Sequence, residues 1–294
     1  MALTSEQKGT LYVFMAALLF SLGGLGIKLI PWHPLAINGA RNLVATAVIF
    51  AYVRGSRHRL VVNRAVLIGA ACMCLTTTLY VVANKLTTAA NAIVLQFTAP
   101  VFLIFIMGSF FKQRPTRDDV VTCGVVLVGI AFFFVDGLQA GGMLGNLLAL
   151  VSGATYAGVF LINALEGSDP ISSVLIAQVV SGLVGLPFLL RELPTAPGPT
   201  AAAVALGVFQ LGLAYIFFTR GLMHTSPVTA SLTTGVEPIL NPVLVALFYK
   251  ETITLTALAG ALIVVGAIVA YNINKARKAP VQESAPATEM EEAR

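Results

Sequence analysis

Charge is what this sequence has least of. Only 11% of its 294 residues are Asp, Glu, Lys or Arg, against about 25% in an average soluble domain. So few charges cannot give a globular fold of this size a water-compatible surface, which excludes a soluble protein. Cysteine and histidine are equally sparse, at three each. Cys72 and Cys74 lie about 200° apart around a helix and cannot chelate one metal from one face. With Cys123 they read as buried, inert thiols. His33, His58 and His224 lack metal-ligand spacing, and there is no HExxH or nucleophile-elbow pattern. No Walker A sequence is present, so ATP-driven transport within this chain has no support. Neither an enzyme nor a cofactor or metal is expected.

What fills the space is apolar. Hydrophobic residues make up 57% and the mean hydropathy is +0.88. Apolar runs lie at 9–30, 35–53, 65–84, 89–111, 120–135, 143–164, 171–190, 200–219, 227–249 and 253–273. Each is near the ~20 residues that cross a ~30 Å hydrocarbon core. They are continuous, unlike the ~10-residue alternating segments of membrane barrels. Helices satisfy their own backbone groups in lipid, so the expected class is an all-α polytopic membrane protein with ten transmembrane helices. The first run exceeds the 7–15 residues of a signal-peptide core and reads as an uncleaved first helix.

The few cations orient these helices. With both termini cytoplasmic, thirteen of the 18 Lys and Arg residues fall on the inner side. Only Lys28, Lys85, Arg191 and Lys250 fall outside, and Arg41 lies within a span. That asymmetry predicts an N-in, C-in chain with an even number of crossings. Cations scattered over short loops do not form the single basic face of a nucleic-acid binder, so the expected partners are a lipid bilayer and a small molecule. Residues 1–8 form a cytoplasmic N-terminal segment, and 275–294 a polar, disordered cytoplasmic tail.

The halves resemble each other. A shift of 138 positions sets Pro100 on Pro238, Lys112 on Lys250 and Gln113 on Glu251, and the segment from Gly9 matches that from Gly145. Two repeats follow, at 9–136 and 142–274. Five crossings per repeat is an odd number, so the second copy enters from the opposite face. Inverted repeats of this kind recur in secondary transporters, where exchanging the conformations of two similar halves turns a cavity from one side to the other.

The run Gly235-Val236-Glu237-Pro238, then Lys250-Glu251-Thr252, Gly260 and Gly266, resembles the repeat signature of EamA-type transporters in the drug/metabolite transporter superfamily. Pro100, Lys112-Gln113, Gly124 and Gly129 form a weaker first copy. The resemblance covers roughly residues 9–273. It implies ten helices as two inverted five-helix repeats, and export of small metabolites, often amino acids, across a bacterial inner membrane. The copies differ in charge: Ala99 stands where the second has Glu237, and Gln113 where it has Glu251.

An intramembrane charge costs at least ~2.5–3.5 kcal/mol and calls for a reason. Glu237 sits about ten residues from either end of its expected helix. It reads as a proton-coupling group, as a partner for a substrate ammonium, or as a structural carboxylate beside the interruptions at Pro238 and Pro242. Arg41 sits about 9 Å from the outer end of helix two. It either snorkels outward or attracts a substrate carboxylate. Polar residues form stripes at helical spacing: Thr76, Tyr80 and Asn84 with Thr77 adjacent; Asn91 and Thr98; Ser152, Tyr156 and Asn163; Thr233, Glu237 and Asn241. Such faces pack against neighbouring helices or line a wet cavity. The resemblance adds Ser21, Gln210 and Tyr215 to that cavity. Matching tyrosines in both halves suit an amphipathic, zwitterionic ligand. Pro100, Pro238 and Pro242 mark helices that bend during gating, and intramembrane glycines such as Gly23 and Gly24 permit close packing or flexing.

The expected function is a secondary transporter exporting amino acids by alternating access. Efflux of other small organic metabolites or drugs, and a non-transporting scaffold or sensor, remain as alternatives.

Overall fold

The computed structural model describes residues 5–110, 116–140, 142–163, 167–193, 196–224, 233–250 and 252–278, and every regular element among them is helical. In chain order these are α1 (Ser5–Leu29), α2 (Pro34–Ser56), α3 (Arg64–Leu86), α4 (Ala89–Gln96), α5 (Ala99–Phe110), α6 (Arg117–Ala140), α7 (Met143–Asn163) and α8 (Pro170–Glu192). There follow α9 (Pro197–Ala205), a π-helical stretch (Leu206–Leu213), α10 (Ala214–Leu222), α11 (Glu237–Tyr249) and α12 (Leu255–Lys278). Lys112, Gln113 and Glu251, and the tail from residue 279, lie outside the described residues. Helix α12 runs to Lys278, into the segment expected as tail.

Six helical segments are long and apolar enough to cross a bilayer: Gln7–Leu29, Pro34–Ser56, Arg64–Leu86, Ala89–Ile106, Pro170–Glu192 and Pro197–Gly221. Met143–Val159, Glu237–Tyr249 and Leu255–Tyr271 are shorter apolar helices. The outside of the bundle is greasy. Phe105 is 69% exposed and Leu255 85%, a surface that only lipid solvates. The inside combines two apolar clusters with buried polar side chains, and among the described residues the largest fully buried side chain is Arg41.

Local chemistry sets the helix starts. Asn63 Oδ1 accepts from the Val66 amide at 2.9 Å to cap α3, and the Thr88 hydroxyl accepts from the Asn91 amide to cap α4. Asp169 caps α8 just ahead of Pro170, whose missing N–H costs nothing in the first turn.

Two expected helices are broken rather than continuous. The run at 89–111 divides at Phe97-Thr98 into α4 and α5, where the Thr98 hydroxyl donates to Leu95 O. The run at 227–249 is interrupted by a turn at Gly235-Val236, and α11 begins at Glu237. Glu237 is therefore a first-turn residue and not a mid-helix one. The cause is shared: Pro100 and Pro238 each stand second in the new helix, where they offer no N–H to the preceding turn.

Glycine sets how closely the helices approach. A Cβ on Gly39 would fall 2.7 Å from the Gly185 carbonyl carbon, so α2 and α8 meet backbone to backbone. On its other side α2 meets the π-helical stretch, where a Cβ on Gly207 would lie 2.5 Å from Val44 Cβ and 2.7 Å from Arg41 O. Helix α7 packs on α3 and α4, α10 on α1, α11 on α1 and α4, and α6 on α12. Gly39→Ala is expected to lower the thermal midpoint in detergent, at a cost of about 1–3 kcal/mol. A Cβ at Gly124 meets open space, so Gly124→Ala should leave the midpoint unchanged or raised; equal midpoints for the two variants would contradict this packing.

Candidate functional site

The polar centre starts with Arg41. Its side chain is 1% exposed, so it turns inward and does not snorkel. The reason lies in the packing just described: α2 is clamped between α8 and the π-helical stretch, leaving the Arg41 side chain no route to the surface. The guanidinium spans three elements. Nη1 donates to Gln210 Oε1 at 3.2 Å, and Nη2 donates to Asn38 Oδ1 at 3.2 Å and to Thr77 O at 3.3 Å. Among the described residues no carboxylate pairs with it.

Helix α3 supplies the next layer. Tyr80 is 6% exposed, and its hydroxyl accepts from Asn241 Nδ2 at 3.1 Å, tying α3 to α11. Asn84 is fully buried beside that hydroxyl without a well-formed hydrogen bond of its own. On α10, the Tyr215 hydroxyl donates to Met73 Sδ at 3.1 Å, and the ring meets Phe20 edge-on at 5.0 Å. Tyr80 and Tyr215 lie within electrostatic reach of both Arg41 and Glu237, and Tyr156 within reach of Glu237. Tyr80 and Tyr215 thus lie near both a buried cation and a carboxylate.

Glu237 opens α11 at the helix break. Its carboxylate and the Tyr156 side chain keep part of their surface exposed, although protein surrounds both densely. Among the described residues Glu237 pairs with no cation. Beside it, a groove of ≈ 540 Å³ opens between the first half of α1 and the turn before α11, lined by Gln7, Thr10, Leu11, Phe14, Thr233 and Val236.

Of the residues singled out in the sequence, the structure gathers Tyr80, Asn84, Tyr156, Gln210, Tyr215, Glu237 and Asn241. Others are bonded locally. Ser21 donates to Ala17 O, Thr76 meets Thr155 Oγ1 at 2.8 Å, and Thr98 closes the helix break. Asn91 joins a different cluster with Thr87 and Asn146, where α4 meets α7. Ser152 donates to Thr76 O and accepts from Gln96. The Asn163 and Pro100 side chains lie outside the described residues, and Pro238 and Pro242 are buried. The cysteines are free but only half-buried.

Sequence reading passed over Asn38, Asn42 and Gln178, all nearly fully buried. The signal was present: Asn38, Arg41 and Asn42 fall at i, i+3, i+4, one face of α2. Among the described residues no cluster of His, Cys, Asp and Glu could hold a metal.

A bundle with a lipid-facing exterior and a charged, largely enclosed centre defines a polytopic helical membrane protein built to hold something polar. The model of the EamA-like transporter family matches residues 7–135 and again 143–273; the chain belongs to that family and is a membrane transporter. A relative from Archaeoglobus fulgidus, described as an uncharacterized transporter, is 25% identical over 200 residues, covering 67% of this chain and 72% of its own. One from Clostridium kluyveri, described in the same words, is 25% identical over 213 residues. That match covers 64% of this chain and 65% of the relative, a little less than two thirds of its length. A solved crystal structure at 18% identity covers 92% of this chain and 99% of its own with a TM-score of 0.66, a likeness of fold alone.

The Tyr80–Asn241 bond is the testable joint of this site. Tyr80→Phe removes the acceptor and strands a buried amide, at an expected cost of about 1–2 kcal/mol read as a lowered thermal midpoint. A midpoint no lower than the wild type would mean that the bond does not tie α3 to α11.

Proposed function

We propose that the chain is a secondary transporter that exports small metabolites, above all amino acids, across a bacterial inner membrane by alternating access, with both termini cytoplasmic. The observation that carries this reading is the pairing of its helices. If the repeats correspond as the sequence shift suggests, α1 answers to α7, α2 to α8, α3 to the α9–α10 rod, α4 and α5 to the broken segment ending in α11, and α6 to α12. Helices α2 and α8 pack on each other, as do α6 and α12, and α4 and α11. Helix α3 packs on α7, and its counterpart α10 packs on α1. Each of these contacts is either between counterparts or has a matching contact under exchange of the halves. That is the pattern expected of two repeats related by a two-fold axis, and it supports the ten-helix inverted architecture.

Two helices are broken, at Phe97-Thr98 and at Gly235-Val236, and α4 beside one break packs on α11 beside the other. Broken spans beside a midplane site are where transporters place substrate groups. Glu237, opening one of them without a cationic partner, suits a substrate ammonium or a transported proton. One end of the assembly is drawn shut. Lys28 Nζ donates to Thr87 O at 2.8 Å, and Lys85 Nζ donates to Ile30 O, crossing the ends of α1 and α3. A gate that opens on this side has those two bonds to break.

Reconstitution in liposomes tests the proposal. Counterflow of at least one amino acid is expected, and an imposed pH gradient reports whether protons move with it. Glu237→Gln should lower the rate by about tenfold or more, as loss of one charged partner at a buried site does. Absence of flux for every amino acid, with retained binding, would favour a sensor; flux of other organic cations alone would favour general efflux.

A further inference from the structure

Arg41 is left over by this account. It is a fully buried cation whose three hydrogen bonds all go to neutral oxygens, at 3.2, 3.2 and 3.3 Å, where a guanidinium facing carboxylate sits at about 2.7–2.9 Å. Its Nε–H, also buried, has no hydrogen-bond partner among the described residues. A charge desolvated without a counter-ion is unfavourable in any protein interior and more so inside a membrane. Those three acceptors satisfy hydrogen bonds of the guanidinium but bring no opposing charge to it.

Its surroundings supply the reason. Tyr80 and Tyr215 lie near both Arg41 and Glu237, and among the described residues Glu237 likewise has no counter-ion. The residue covering Nη1, Gln210, belongs to the π-helical stretch Leu206–Leu213, a conformation found chiefly where function needs it. The Gln210 amide packs against Gly23 of α1, where a Cβ would meet Nε2 at 3.1 Å, so only a glycine there admits it. Its Oε1 accepts one hydrogen bond, from Arg41 of α2.

We propose that the Arg41 guanidinium receives the carboxylate of a zwitterionic substrate, and that Gln210 is a latch occupying this position until the substrate displaces it. The substrate's ammonium then faces Glu237. Exchanging a long, neutral acceptor for a two-pronged carboxylate gives the cation its missing partner, and the displaced Gln210 couples occupancy of the site to the π-helical stretch and thereby to α10. This assignment rests on the transporter reading above and narrows it to ligands carrying a carboxylate.

The full-length protein in liposomes, offered an equimolar mixture of the twenty L-amino acids and their α-carboxamides, separates the two. Flux is read by mass spectrometry and corrected for protein-free vesicles. The carboxamides keep the side chain and the amine and lose only the carboxylate. The wild type is expected to carry at least one acid about tenfold or more faster than its amide, as polar sites discriminate against ligands lacking the matching group. Arg41→Gln should bring that ratio to about one, with Arg41→Lys between. Gln210→Glu supplies an internal counter-ion, and is expected to raise the thermal midpoint while abolishing flux of the acids. A wild-type ratio near one, a ratio unchanged in Arg41→Gln, or wild-type acid flux in Gln210→Glu would each overturn the assignment and leave the transporter reading standing. If Arg41→Gln does not fold, Gln210→Glu decides alone. Failure of the wild type to carry any amino acid would instead remove the amino-acid reading, and this assignment with it.

Discussion

The approach of α2 to its two neighbours governs the interior. Glycine at 39 and 185 on one side, and at 207 on the other, removes the side chains that would hold these backbones apart. The consequence is electrostatic as much as steric. A helix pressed this closely on both flanks carries Arg41 into the bundle and fixes it opposite Gln210 and Thr77. Lipid tails are as apolar as leucine, so helices in a membrane gain little from burying apolar faces against one another. Small residues and hydrogen bonds determine the packing instead, and here they also determine where the charge resides.

That logic explains which parts of the molecule can be read from the sequence. Span positions come from hydropathy because every backbone group in lipid must be bonded within its own helix; α1, α2, α3, α8 and the α9–α10 rod lie where the apolar runs place them. The polar stripe Tyr80–Asn84 turns inward as its period implies. So do Glu237 and Asn241, whose spacing on α11 equals one helical turn. Arg41 defeats the same reasoning because its distance from the helix end bounds where a flexible side chain can reach, not where it goes. Only the crossing of α2 over α8 and the π-helical stretch settles that, and crossings depend on contacts far apart in sequence.

The π-helical stretch is likewise invisible beforehand. Nothing in LGVFQLGL differs from an ordinary apolar helix, yet Gly207 and Gly212, five residues apart, both lie against α2, where Cβ atoms would strike Val44 and Val48. An α-helix would rotate residues five apart well away from each other, about 140° around its axis, whereas a π-helix keeps them on nearly one face. The tight seam with α2 thus favours the wider helix, and the wider helix points Gln210 at Arg41. Serial position alone would have put Gln210 near the tyrosines without naming its partner.

The two helix breaks carry the last consequence. Pro100 and Pro238 interrupt corresponding segments at corresponding points, so the proposed halves share a shape, but Ala99 and Glu237 make them unlike in charge. If the halves exchange conformations during transport, the two end states are similar in packing and different in electrostatics: in one the acid-bearing break faces the open side, in the other the neutral break does. A ligand with an ammonium group interacts unequally with those states, and unequal interaction is the only means by which a ligand shifts a conformational equilibrium. Symmetry of the backbone therefore supplies the two states, and asymmetry at a single position supplies the bias between them.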